Sequence, residues 1–301
     1  MKSTSSNKVF VFLVLAVFII SCQNQTPKEN TSDQTKSSEE WLSLFNGEDL
    51  NGWYTYQKSP EPTSEVPGLG RDGDGNYLEA IGLNKDPLKV FTVVMEDDEP
   101  AIRMSGEVFG IIVTDKEFEN YHLKLEFKWG DEKWPPRKNE KMDSGILYHS
   151  IGAEGAWGGV WMKSMECQVQ QTDCGDYISV DTVLADVTAF KSEENGRYYY
   201  KPSAETLTFS PERSYCNKSE DFENPTGEWN TMEIYTVNGK SIHVVNGKVN
   251  MRVSNSRYLI DGNEVPLIKG KIQLQSEGAE IFYRNINLKA IEEIPQEILK
   301  P

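Results

Sequence analysis

The sequence predicts an all-β chain, and three observations carry that prediction. Gly, Asn, Asp and Pro punctuate it at short intervals, the segments between them alternate apolar and polar residues, and long amphipathic helix patterns are missing. Two Asn-Gly pairs, in "TVNGKSI" and "VVNGKVN", sit close together between β-branched residues, which specifies a hairpin meander from Trp229 to about Val253.

Taken in chain order, the first element is not part of the fold. Lys2 and Lys8 precede the apolar run Val9 to Ile20, followed by Ser21 and Cys22, the layout of a secretory signal too short to span a bilayer as a mature helix. Ser21 before Cys22 is similar to a bacterial lipobox, which implies cleavage at residue 21, lipidation of Cys22, and a cell-envelope location on the periplasmic side or the outer-membrane surface. A polar stretch from Gln23 to Glu40 contributes nothing to a core and reads as a disordered tether. One large β domain is expected over 41–301.

The net charge of −16 disfavours nucleic acid and anionic lipid as partners, leaving the lipid anchor as the membrane contact. A neutral sugar is not repelled, and seven Trp within an aromatic share of 11% suit both sugar stacking and core filling. Of the four cysteines, Cys167 lies on the oily side of its strand, whereas Cys174 in "TDCGD" and Cys216 in "SYCNKS" occupy turn-like surroundings and are the two that can pair as a disulfide.

Within the domain, "YHLKLEFKW" opposes His122, Lys124, Glu126 and Lys128 to Leu123, Leu125, Phe127 and Trp129. In "SGILYHS", Tyr148 and His149 fall on opposite sides. The strand "WMKSMECQVQQ" places Ser164, Glu166, Gln168 and Gln170 on one face and Met165, Cys167 and Val169 on the other; "KIQLQSEG" adds Gln273 and Gln275. Such polar faces are either solvated exteriors or parts of a concave sheet that holds a polar ligand through carboxamides.

The blocks "LFNGEDLNGW", "GIIVTDKEFENYHLKLEFKW", "DSGILYH", "MECQVQ", "GEWNTMEI", "IHVVNGK" and "GKIQLQSEGAEIFYRNINLK" resemble, in that order, those of the 3-keto-disaccharide hydrolase domain family. The resemblance implies a concanavalin A-like jelly-roll sandwich of two antiparallel sheets, acting on glycosides whose C3 hydroxyl has been oxidised to a ketone. It departs at Asp143 and His149, where many members carry Asn and Arg, and at the stretch Pro67 to Asn76, which reads as an insertion.

Only one carboxylate, Glu166, stands where retaining glycosidases of similar fold carry a pair. A C3 ketone explains why one suffices: it acidifies the C2 hydrogen, so a single base can generate an enolate that expels the C1 substituent by β-elimination, with or without later addition of water. Glu166 is the expected base and Glu126 the runner-up, against a structural reading of Glu166 as a strand glutamate paired with a lysine. Gln168, Gln275, Trp161, Glu126 and Tyr148 are candidate substrate-binding residues. His149 either donates a proton to the leaving oxygen, ligates a metal or is structural. Lys163 and Arg284 are candidates for enolate stabilisation, although alternation puts Lys163 on the face away from Glu166 unless a bulge intervenes, and Arg284 equally suits anchoring Glu277 or another acid across strands.

Asp143, His149, Glu166 and Glu277 make a hard-ligand set for a divalent metal, which their spacing alone does not establish. "DGDGN" (Asp72 to Asn76) fails the calcium-loop pattern at Tyr77 and Leu83 and reads as a turn. No Gly-rich dinucleotide fingerprint follows a strand, so a separate sugar oxidoreductase is expected to supply the ketone. A non-catalytic carbohydrate-binding lipoprotein is the alternative reading.

Overall fold

A computed structural model describes residues 40–300; the signal segment, Cys22 and the tether through residue 39 lie outside them. Strands are numbered along the chain. The larger sheet orders them as β13 (Tyr198–Tyr200), β12 (Val183–Lys191), β18 (Lys248–Ile260), β17 (Lys240–Val245), β16 (Asn230–Val237), β8 (Tyr121–Lys133), β21 (Ala279–Ala290), β5 (Glu99–Met104) and β4 (Phe91–Glu96). To these, β1 (Leu42–Ser43), β14 (Thr206–Phe209) and β19 (Asn263–Pro266) add short pairings. The smaller sheet runs β15 (Tyr215–Cys216), β11 (Tyr177–Val180), β10 (Lys163–Gln170), β9 (Asp143–Ile151), β20 (Lys269–Ser276), β6 (Gly110–Thr114), β2 (Trp53–Gln57) and β3 (Gly82–Leu83), with β7 (Phe118–Glu119) beside β20. Every strand pair is antiparallel, and the one α-helix among the described residues spans Gln296–Leu299. The architecture is the two-sheet jelly roll expected from the sequence.

The meander is realised as β16, β17 and β18. Its two turns hold Asn238 and Gly239, then Asn246 and Gly247, all at positive φ, the backbone that a two-residue hairpin of matching twist requires. Leu123, Leu125 and Phe127 of β8 meet Met165, Cys167 and Val169 of β10 in one core between the sheets. Alternation therefore sends Glu126 to the outside of the larger sheet and Glu166 to the outside of the smaller one.

One strand breaks the alternation. Between Tyr148 and Ile151, β9 carries an extra residue relative to both β10 and β20, and His149 takes φ 51 there. This bulge turns Tyr148 and His149 to the same, inner side. Tyr148 donates its hydroxyl to His243 Nε2 at 2.9 Å and lies 2.8 Å from Ser241 Oγ, while His243 Nδ1 faces the Gly175 carbonyl at 3.0 Å. The His149 ring meets Tyr121 and Tyr148 edge to face, and its Nε2 lies 3.5 Å from Thr236 Oγ1. Both residues thus serve the core, correcting the expectation of a substrate-binding Tyr148 and a catalytic or metal-ligating His149.

Cys174 and Cys216 are two separate buried thiols rather than a disulfide. The Cys174 Sγ sits 3.4 Å from the Gln170 carbonyl, and β15 pairs Cys216 with Tyr177, so each is held by its own segment of backbone. The Asp72 loop is a self-bonded turn, with Asp72 Oδ1 accepting from the amides of Asp74 and Asn76.

Candidate active site

The outer face of the smaller sheet gathers the polar row. Register places Glu166 opposite Leu147, Gln168 opposite Gly145 and Gln170 opposite Asp143. On the other side of β9, Gln273 faces Leu147, which puts Gln275 beside Gly145. Gly145 is the keystone of this arrangement: a Cβ there would overlap the Oε1 atoms of both Glu166 and Gln275. The two side chains lean over the bare backbone from opposite strands.

An apolar cover surrounds the row. Leu147, Ile111, Val113, Ile178 and Val180 of the sheet pack with Val160, Trp161 and Met162 from the loop between β9 and β10, and Phe109, Tyr54, Tyr56 and Tyr215 border them. Trp161 stacks on Phe109 with ring centroids 6.5 Å apart, and the Met162 amide donates to Gln273 Oε1 at 3.2 Å, fixing the loop to the sheet. Tyr54 holds the loop's start through Glu154 at 2.7 Å. Under this cover Glu166 is 3% exposed.

Burial raises the Glu166 pKa well above the carboxylate range; the nearby Glu277 and Asp143 charges push it further, and the Gln275 carboxamide opposes them. Asp143 is likewise raised by burial and by Glu277, against the pull of Arg137 and Gln170. Burial lifts Glu277 to about 7, restrained by Arg137 and Lys58. Arg137, in the loop between β8 and β9, contacts Asp143 Oδ2 at 2.5 Å and Glu277 Oε1 at 3.6 Å. Gln170 donates to the same Asp143 oxygen at 2.5 Å.

Three buried atoms of this patch have no hydrogen-bond partner among the described residues: Asp143 Oδ1, Arg137 Nε and Gln275 Oε1. Leaving such a group unsatisfied costs about 1–3 kcal/mol. Gln168 spends its Oε1 on the Val169 amide at 3.0 Å. The patch combines two deeply enclosed carboxyls, Glu166 and Asp143, with the Glu277 carboxyl, carboxamides that neither add nor remove charge, and a single guanidinium, a set suited to proton transfer on a neutral polyhydroxyl ligand.

Of the residues singled out in the sequence, Glu166, Gln168, Gln275, Trp161, Asp143 and Glu277 share this face. Lys163 does not. It points away as strict alternation requires, pairing with Asp181 at 3.5 Å and lying over the Tyr258 ring, since the bulge is in β9 and leaves its own strand regular. Arg284 and the runner-up base Glu126 are on the outside of the larger sheet, where Arg284 Nε donates to Glu126 Oε2 at 2.6 Å and its guanidinium stacks 3.8 Å from the Trp229 ring. The anchoring role is the one Arg284 has, toward Glu126 rather than Glu277.

The proposed metal set does not assemble: His149 is in the core, and no three His, Cys, Asp or Glu side chains among the described residues are arranged to hold a metal ion. The cation by the acids is Arg137, which sequence reasoning missed. Its signal was a basic run, "PPRKNEK", between two strands whose ends carry Glu and Asp.

Residues 40–289 match the family described as the 3-keto-alpha-glucoside-1,2-lyase-like domain. No curated protein matches the chain. Among solved structures it is similar to a candidate glycosyl hydrolase from Parabacteroides distasonis, with 19% identity over 84% of this chain and 95% of the other and a TM-score of 0.47. A carbohydrate-binding module, CBM66, from Bacillus subtilis shares 8% identity over 66% of this chain and 92% of its own, with a TM-score of 0.40. The alginate lyase AlyC3 shares 13% identity over 78% of this chain and 89% of its own, with a TM-score of 0.39.

Proposed function

Because the chain belongs to the 3-keto-alpha-glucoside-1,2-lyase-like family of carbohydrate-active proteins, we propose that it cleaves 3-keto-glycosides by β-elimination, with Glu166 as the proton-transferring residue. The ketone at C3 acidifies the C2 hydrogen. Glu166 takes that proton, the C2–H electron pair becomes the C2–C3 enolate, and collapse of the enolate forms the C1–C2 double bond while the C1–O bond breaks. Glu166 then returns the proton to the departing oxygen. Release of the enone is a lyase reaction; addition of water at C1 completes hydrolysis.

The observation that carries this reading is the enclosed carboxyl at Glu166, which leans over Gly145 without an ion-pair partner among the described residues, within a patch whose Asp143, Arg137 and Gln275 atoms await polar partners. Two-carboxylate retaining chemistry asks for a matched pair at about 5–5.5 Å with separate roles. Here Asp143 and Glu277 share Arg137 instead, and Gln168 and Gln275 flank Glu166. Arg137 supplies positive charge near the developing enolate, the part first assigned to Lys163 and Arg284. Lipid anchoring through Cys22 and supply of the ketone by a separate sugar oxidoreductase belong to the same proposal.

The test is exchange of the C2 hydrogen of a 3-keto-glycoside in heavy water, with and without chelator, alongside release of the leaving group. We expect exchange and cleavage for the 3-keto-glycoside and neither for its unoxidised parent, with Glu166→Gln losing at least about 10²-fold, the usual contribution of one positioned base. Equal cleavage of both glycosides would reject the mechanism. Binding of the 3-keto sugar without product, even with divalent metals added, would make the protein a carbohydrate-binding module.

A further inference from the structure

A cleft of about 860 Å³ opens beside the Glu166 patch, between the edge of the smaller sheet and the excursion that carries β13 to β15. Its charge runs against that of the chain. In a protein of net charge −16, the cleft is lined by Lys141, Lys191, Arg197 and Arg213 with only Asp173 and Glu212 as acids. Lys141 is neutralised by Asp173 at 2.6 Å. Lys191, Arg197 and Arg213 have no carboxylate oxygen within 4.0 Å among the described residues.

Arg213 is also held in place. Its guanidinium lies 4.8 Å from the centroid of the Tyr198 ring, and its one hydrogen bond is a long one, 3.4 Å, to the Thr208 carbonyl. The remaining donors of the fork are left for a ligand, in the geometry that favours carboxylate and sulfate oxygens.

The cleft meets the Glu166 patch at two walls. Glu166 pairs with Ile178, and Ile178 with Tyr215, so Tyr215 stands two strands away on the same face, about 10 Å at the usual strand spacing. Gln170 lies four residues along the strand that carries Glu166, about 13 Å at the usual rise. A saccharide with one ring at Glu166 extends toward the cleft across these two walls.

We infer that this cleft binds an anionic sugar unit, bearing a carboxylate or a sulfate, that is attached through C1 of the 3-keto ring and is released with the leaving oxygen. The inference rests on the placement of the reacting ring at Glu166 proposed above. Arg213 and Lys191, both positioned over the Tyr198 ring, hold the charge of the sugar unit together with Arg197. Specificity then comes from a local reversal of the repulsive field of the chain.

The test is calorimetric titration of the full chain with glucuronate, glucose 6-sulfate, glucose and inorganic phosphate, in low and high salt. Glucuronate or the sulfate should bind at least about tenfold more tightly than glucose, weaken as salt rises, and weaken about tenfold in Arg213→Gln and less in the exposed Lys191→Gln. The tighter of the two identifies the anionic group. Equal affinity for glucose, indifference to both variants, or phosphate binding as tightly as either sugar acid would overturn the inference. Glu166→Gln should bind the anionic sugar as the parent does. A result in which no 3-keto-glycoside is cleaved but this titration behaves as expected would sink the catalytic reading alone.

Discussion

In the free chain burial, with the neighbouring Glu277 and Asp143, disfavours the charged form of Glu166 and raises its pKa. Such a group, once ionised, is a stronger base than an ordinary carboxylate, and its availability governs the rate. The value of kcat/KM for 3-keto-glycoside should therefore rise with pH along the limb on which Glu166 loses its proton. Glu277→Gln removes the largest charge acting on Glu166, so the whole limb should move to lower pH, which a pH profile of the two proteins decides. An unmoved limb would mean that some other group is the base. At this scale Glu166, Gln168 and Gln275 were legible because each sits on a strand with clean alternation. Arg137 was not, since a loop side chain follows no period. Its partner Glu277, just past β20, was suspected only as a metal ligand or as a partner for Arg284.

Elements decide which faces meet, and that is where sequence reasoning both succeeded and failed. Asn-Gly turns and alternation suffice for β16 to β18, because a two-residue turn fixes register and twist locally. Alternation also separates Glu126 from Phe127, yet it is silent about which sheet a strand joins, so Arg284 and Glu126 were grouped with residues that lie across the sandwich. The β9 bulge at His149 reverses the parity of every residue beyond it, and a one-residue insertion leaves no mark in a short apolar run. The loop that supplies Val160, Trp161 and Met162 shares an apolar cluster with Leu147 and Ile178, the strand partners of Glu166. Replacing Trp161, 7% exposed and stacked on Phe109, by Ala should destabilise the protein by about 3 kcal/mol, the lower end for a buried aromatic. It should also admit water to the patch, weaken the desolvation that raises the Glu166 pKa, and shift the ascending limb to lower pH with reduced kcat/KM. Denaturant unfolding and the pH profile read the two effects separately; loss of stability with an unchanged limb would show that the loop packs on the sheet without shaping the chemistry.

Across the whole molecule, the buried titratable groups set two opposed pH dependences. His149 and His243 have folded pKa values of about 4, below the ordinary 6.5, because burial disfavours their charge. Their contribution to stability is complete above 6.5 and is lost as pH falls toward 4. The carboxyls run the other way. Asp176 is raised to about 6 and Glu277 to about 7, with Asp143 and Glu166 also raised, so their contribution is complete below about 4 and is lost as pH rises through the folded values. Between those limits the two sets partly cancel, and above neutrality the carboxyls alone remain. Glu166→Gln removes one of them while keeping shape and hydrogen-bonding capacity. The variant should match the parent near pH 4 and be the more stable of the two at pH 8, as read by denaturant unfolding at the two pH values. On the proposed mechanism, the same substitution that stabilises the chain in alkali should also silence it. If the stability difference does not grow with pH, Glu166 is not enclosed as described, and both its raised pKa and the proton transfer proposed for it fall together.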